Sequence, residues 1–492
     1  MSAPAASLAF ASIRELGRRL RAGETTPTAL TELFLARLEG PGRRLNAVAT
    51  ITRERALAEA REAERELAAG HDRGPLHGIP YGAKDLCATA PPYPTSWGAA
   101  PLREQQFARD ATVVMRLRDA GAILVAKLAM VELAGGMGYD QPHAAFTGPG
   151  LNPWNADAWS GGSSSGSGSA VGAGVVPFAI GSETVGSILT PSSFCGVSGL
   201  RPTYGRVSRH GAMALSWTLD KLGPMCRTAD DCGLVLAAIA GRDPADETSI
   251  DAPYRYVPER ERTGGFRLAV PAGWEEGSQE AVVANTRAAL DALGAVATIE
   301  EVGLPDFPYG AVVGAILDGE MMSAFEEFVA SGKVEELTAP EDRVGAYGWR
   351  FMPAKDYVTA LRIRREIRRA WDALLARYDG VLAPTTPTVA SPLDVRFSDY
   401  FPRAGRHWLT QVGNIIGAPA ISIPTGFGER GLPTGLQILG RGERRPRGRA
   451  RLSGAHRLAR AAPGGVSDGF ISMGLHHTPG MCIFVAGRWA IV

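Results

Sequence analysis

Cysteine and histidine are scarce in this 492-residue chain, at five and eight, and aromatic side chains make up only 7% of it. The cysteines (Cys87, Cys195, Cys226, Cys232, Cys482) are odd in number and widely spread, without a CxxC pair or a Cys/His metal spacing. That argues against a disulfide framework or a zinc site and for reduced core thiols in a cytoplasm. Net charge is also nearly absent: 52 basic against 51 acidic side chains leave +1, so no overall field draws nucleic acid or an anionic membrane. No window holds about 18 uninterrupted apolar residues, and the N-terminus lacks a basic stretch before its short apolar run, so neither a spanning helix nor a secretory leader is expected.

What is present is an ordinary globular composition, 45% hydrophobic and 21% charged, with ample length for a large core. Residues 8–69 read as helices, with Thr26 and Pro27 placed as cap and first-turn residue and an Ala/Glu/Arg-rich run ending at Gly70. Gly78 to Ala83 reads as a short strand delivering Lys84, and ATVVMRLRDAG followed by AILVAKL as helix then buried strand. Similar alternation around Val175 to Ile180, Phe266 to Val270, Ala281 to Leu293 and Val381 to Leu382 gives an α/β class, one sheet covered by helices on both faces. The expected organisation is a helical layer over 1–70, a catalytic domain over 71–440 and an atypical arginine-rich C-terminus over 441–492. Its first twenty residues carry eight arginines against one glutamate, and it is expected to be disordered or the product of a frameshift.

The chemistry concentrates in two segments. The run SGGSSSGSGSAVGAG is dense in serine and glycine, and IGSETVGS follows it with Ser187 beside Gly186. A serine hydroxyl needs a base, normally histidine, yet His77, His143 and His210, the nearest to these motifs, have no evident orienting carboxylate. Lys84 is the alternative, because burial disfavours an ammonium and brings the amine towards neutrality. Gly162 to Gly166 also satisfies GxSxG, which would make Ser164 an esterase nucleophile, but the preceding LNPWNADAW is loop-like where that elbow requires a strand. A turn at Thr184, Val185 and Gly186 could converge its backbone amides on an oxyanion.

Several long segments then carry a resemblance: GPLHGIPYGAKDL, NPWNADAWSGGSSSGSGSAVGAG, GSETVGSILTPSSFCGVSGLRPTYGRVSRHG, LDKLGPMCRTADDC, YDGVLAPTTPT and GNIIGAPAISIPTGF with GLPTGLQILG. In this order they resemble the amidase signature family of serine amidohydrolases, from about Ile13 to Gly440. The resemblance implies a single domain around a large mixed sheet. It also implies a triad of Ser187 as nucleophile, Ser163 as bridging serine on a cis peptide and Lys84 as general base, with no metal or cofactor. The expected reaction is hydrolysis of a carboxamide C–N bond through an acyl-serine. The alternatives are the glutaminase (A) subunit of a tRNA-dependent amidotransferase and a catalytically silent scaffold. Expected partners are a small-molecule amide and at most a second copy of the chain, with no nucleic acid and no membrane, in the cytoplasm. One departure bears on substrate: the family's GGSIR reads VGSIL here, so Leu189 offers apolar contact where an arginine would hold a carboxylate.

Overall fold

The computed structural model describes residues 8–252, 254, 256, 265–349, 351–401 and 408–442, and the backbone of 482–485 and 488–491. Eleven strands form one sheet: β1 (Val48–Ile51), β2 (Pro80–Lys84), β3 (Ile123–Leu128), β4 (Phe178–Glu183), β5 (Ser198–Arg201), β6 (Lys221–Cys226), β7 (Phe266–Pro271), β8 (Ala297–Val302), β9 (Gly380–Pro384), β10 (Ala420–Phe427) and β11 (Pro433–Gly440). Their spatial order is β1-β3-β2-β4-β6-β5-β10-β11-β9-β7-β8. The sheet is mixed: β2 runs parallel to β3 and β4, and β7 to β8 and β9, while the other neighbours are antiparallel.

Both faces are covered, as the α/β reading expects, and the strands show it by alternation. Leu124, Phe178, Ile180, Leu268, Leu382 and Ile438 enter one apolar cluster. Their strand neighbours Ala269, Val381 and Leu439 enter a second, and Ile123, Val125 and Ala179 a third. A period of two with both faces apolar is what a sheet between helical layers requires. Within the first cluster Tyr81 and Phe178, on adjacent strands, stack with ring centroids 5.2 Å apart.

The covering helices used below are α1 (Ile13–Arg21), α2 (Pro27–Arg37), α3 (Arg53–Ala68), α4 (Ser165–Gly172), α5 (Leu189–Cys195), α6 (Ala229–Ile239), α7 (Glu280–Leu293), α8 (Tyr309–Ala324), α9 (Ala354–Leu375) and α10 (Trp408–Ile416). Thr26 caps α2 by accepting the Ala29 N–H at 3.2 Å, with Pro27 in the first turn. Inside the stretch read as helical, Val48–Ile51 forms edge strand β1 against β3. The Gly/Ser run is helix α4, fully buried from Ser165 to Val171. Its glycines are there for contact: a Cβ on Gly166 would lie 2.4 Å from the Ala47 carbonyl oxygen and one on Gly168 2.9 Å from that of Pro191. The 441–492 expectation falls almost wholly outside the described residues; there Cys482–Val485 and Arg488–Ile491 form an antiparallel pair.

One close approach yields a stability test. A Cβ on Gly223 of β6 would sit 2.2 Å from the Leu200 carbonyl oxygen of neighbouring β5, whereas one on Gly303 meets nothing within 4 Å. Gly223→Ala is expected to lower the unfolding free energy by about 1–3 kcal/mol or more, because backbone has to move, and Gly303→Ala to change it little. Urea unfolding of the two variants checks the ordering.

Candidate functional site

β2 and β4 are adjacent and parallel, with Ala83 opposite Ile180, so their C-terminal ends meet. Lys84 ends β2 completely buried, and its Nζ donates to Ser163 Oγ at 2.7 Å and to Ser182 Oγ at 2.9 Å. Burial pushes this amine down to about 7, although Cys87, Asp220 and Glu183 favour the ammonium. Two hydroxyls are weak compensation for a buried cation, so the amine yields its proton near neutrality.

Ser163 is buried at the head of the Gly/Ser run, and the Gly162–Ser163 peptide is cis. Its carbonyl accepts from the Val131 amide at 3.1 Å, which ties this turn to the segment after β3. Ser164, the GxSxG candidate, is committed elsewhere: its hydroxyl donates to the Ser182 carbonyl at 3.2 Å and accepts the Ser182 amide at 3.3 Å. No strand precedes it, so the elbow geometry is missing. His77 is buried beside Glu66, 3.0 Å away, and accepts the Arg73 N–H on Nδ1; His143 and His210 are exposed. None of the three joins Lys84.

Ser187 lies between β4 and α5, half-buried, in the turn that follows Glu183. Gly186 has φ +91, a left-handed conformation that glycine takes without a Cβ penalty. The N–H groups of Val185, Gly186 and Ser187 find no acceptor among the described residues. Val185 is half-buried, and Leu189 is fully buried in the apolar cluster with Leu219, Tyr309, Val312 and Ile316. Thr184 donates its hydroxyl to Asp220 at 2.6 Å.

The sequence reading missed the residues around this turn. Ser182 was hidden as one more serine in a strand, yet it is a direct partner of Lys84. Glu183 is buried with Arg201 at 2.8 Å and Asn414 at 2.9 Å. Burial raises its carboxyl, but Arg201 and Lys221 outweigh burial and hold it at about 2. The available signal was polarity: GSE ends a strand that starts as Phe-Ala-Ile, and polar side chains in a central strand need partners. The partners themselves, on β5, β6 and α10, are up to 231 residues away in sequence.

The Lys84 environment carries a sign that can be measured. Its folded pKa lies below the unfolded 10.5, so between about 7 and 10.5 the unfolded chain holds a proton that the folded chain does not. Stability attributable to this group therefore rises with pH through that window. Relative to Lys84→Met, the wild type should gain about 3 kcal/mol from pH 7 to about pH 9.5, at 1.36 kcal/mol per unit. Parallel urea titrations at the two pH values measure the difference; equal gains would mean an ordinary lysine pKa.

Comparison with known proteins places this arrangement. The model of the family described as Amidase matches residues 29–444. A relative from Anaeromyxobacter dehalogenans, named as the A subunit of glutamyl-tRNA(Gln) amidotransferase, is 37% identical over 472 residues, covering 90% of this chain and 94% of its own. Among solved structures, native peptide amidase from Stenotrophomonas maltophilia superposes with TM-score 0.77 at 30% identity, covering 92% of this chain and 95% of that one. A chain from a vestigial protein complex described as revealing the origins of an s-triazine catabolic enzyme gives TM-score 0.82 at 30% identity, covering 92% and 97%. The expected partners need correction here. A small-molecule amide and at most a homodimer were expected, but the relative is by name one component of a multi-subunit assembly. A net charge near zero excludes a global field only; protein interfaces are made of local patches that composition does not report. With its motifs in order, its single mixed sheet and these relatives over nine-tenths of its length, the chain belongs to the amidase signature family, amidohydrolases that cleave the C–N bond of linear amides.

Proposed function

We propose that the chain is the glutamine-hydrolysing component of a tRNA-dependent amidotransferase, releasing ammonia for a partner subunit. The observation that carries this reading is the near full-length similarity, 37% over nine-tenths of both chains, to a relative of that name. In the proposed reaction neutral Lys84 takes a proton through Ser163 from Ser187, and Ser187 attacks the amide carbonyl. The backbone amides of Thr184, Val185 and Gly186 receive the oxyanion, the lysine proton passes to the leaving nitrogen, and water cleaves the acyl-serine. The buried Lys84–Ser163 contact at 2.7 Å and the unclaimed amides of Val185 and Gly186 support these roles.

A second reading, hydrolysis of a neutral amide, is favoured by one observation: Leu189 and Val185 belong to an apolar cluster where a cation would be needed to hold a carboxylate. Ammonia release from glutamine and from octanamide, of equal heavy-atom count, separates the two. Glutamine ahead, together with co-purification of a second subunit, supports the amidotransferase reading. Octanamide ahead by at least about tenfold in kcat/KM, or about 1.4 kcal/mol, supports the neutral-amide reading, and Leu189→Arg should then move the ratio towards glutamine.

For the shared chemistry, Ser187→Ala and Lys84→Ala are each expected to abolish nearly all hydrolysis and Ser163→Ala to leave a small residue. Ser164→Ala and His77→Ala should retain most of it. The kcat/KM profile should rise with pH through an ionisation at about 7, because the base has to be neutral. Full activity in Lys84→Ala would exclude the lysine base.

A further inference from the structure

Two buried carboxylates grip the Ser187 turn from opposite ends. On the far side, Glu183 Oε2 accepts the amides of Ile188 and Leu189, each at 3.0 Å, while Oε1 accepts from Arg201 at 2.8 Å and Asn414 at 2.9 Å. On the near side, Asp220 Oδ1 accepts the Thr184 hydroxyl at 2.6 Å, and Oδ2 accepts the amides of Leu215 at 2.8 Å and Ser216 at 3.0 Å. We propose that Glu183 and Asp220 are positioning residues that clamp residues 184–189 from both ends and so fix the direction of the Ser187 hydroxyl and of the free amides beside it. The proposal rests on Ser187 being the nucleophile, as proposed above.

The hydrogen-bond pattern separates a clamp from an ordinary buried ion pair. The first amides of a helix lack intrahelical acceptors, and α5 has no side-chain cap from the residue before it. Glu183 supplies the acceptor from the end of β4, across the turn, and so ties the strand end to the helix start. The amides of Val185, Gly186 and Ser187 between the two anchors stay unclaimed among the described residues. Each anchor is itself held. Arg201 also donates to the Ala418 carbonyl at 3.2 and 3.1 Å, and Asn414 donates to the Thr410 carbonyl at 2.9 Å and accepts from Lys221. Elements β5 and α10 thus converge on one carboxylate, with β6 bracing α10 through Lys221, so the turn takes its position from the sheet and not from local chain preference. Oxyanion donors have to be aimed at a point to within a few tenths of an ångström, which a glycine-containing turn does not achieve alone.

Cys87 and both carboxylates favour the Lys84 ammonium, although burial pushes the Asp220 carboxyl itself upward. Removing either charge should therefore lower the Lys84 pKa, an effect that general destabilisation does not produce. The test is the rate of labelling by a fluorophosphonate probe as a function of pH, expressed per folded protein, on the full chain; it needs no natural substrate. Glu183→Gln cannot satisfy both sets of donors, and its labelling should be slower by at least about 30-fold, with the acid limb of the profile at lower pH than in wild type. Asp220→Asn should behave alike. Thr184→Val, nearly isosteric, removes the Asp220 contact but keeps the charge, so labelling should slow about tenfold with the limb in place. Should Glu183→Gln fail to fold, Thr184→Val and Asp220→Asn decide. Labelling within about threefold of wild type in the folded variants, or slowing with no movement of the limb in the two charge variants, overturns the clamp. Ser187→Ala in the same assay tests the underlying assignment separately: labelling that survives there refutes the nucleophile, whatever the clamp variants do.

Discussion

The burial of the Lys84 amine against hydroxyls, with no carboxylate partner, is the constraint around which the site is arranged. Three lysines of the sheet are buried, and they are treated differently. Lys127 is given Asp85 at 2.9 Å and the Thr95 hydroxyl at 2.8 Å. Lys221 donates to the Asn414 side-chain oxygen, and burial together with the Arg201 charge pushes its amine well down, against the pull of Glu183 and Asp220. Among the described residues Lys84 receives only the hydroxyls of Ser163 and Ser182 within hydrogen-bonding distance. A hydroxyl pays little of the desolvation cost of an ammonium, so burial that a carboxylate would offset makes this amine a base near neutrality. A carboxylate placed directly on Lys84 would end that.

The sheet order delivers this arrangement. Lys84 and Ser182 sit at the ends of parallel neighbours β2 and β4, so the chain leaves both strands on the same edge and its following segments converge there. The turn leading into helix α4 brings Ser163 to that edge, and the helix's glycines let it sit against backbone at Ala47, Ala129 and Pro191. The serine and glycine density, which could pass for a linker, is therefore a packing requirement: larger residues would push Ser163 away from the lysine.

How much of this can be read in the residues depends on distance along the chain. Lys84, Ser163 and the turn at 184–187 sit in local motifs whose order is itself informative, and the alternation of apolar strands and helical stretches is enough for the α/β class. Strand β10 was not legible, because Pro424 and Gly426 interrupt it and the register against β11 shifts between them; such residues normally argue against a strand. β1 was absorbed into a helix-rich neighbourhood because four residues carry too little pattern. Asp220, Arg201 and Asn414 were invisible for another reason: each is ordinary in its own segment and acquires meaning only from a neighbour that the fold brings from 18 to 231 residues away. A partner chain leaves no trace in overall charge at all.

The buried charges around Glu183 are hard to account for as stability. Desolvating Glu183 and Arg201 costs several kcal/mol per ion, and a well-packed apolar pair of the same volume would serve the core as well or better. What apolar side chains cannot do is accept two backbone amides at a chosen point. The network is also placed where that ability matters, at the junction of β4 and α5, while the apolar clusters fill both faces of the sheet around it. Its charges act on Lys84 through space as well: moving Glu183 or Asp220 away would tighten the grip of burial on that amine, and moving them closer would restore the ammonium. Their present distance, near enough to hold the turn and too far to pair with the lysine, satisfies both demands. That double constraint explains why acids occupy the end of β4 and the position just before β6 while, among the described residues, only hydroxyls hydrogen-bond the Lys84 amine.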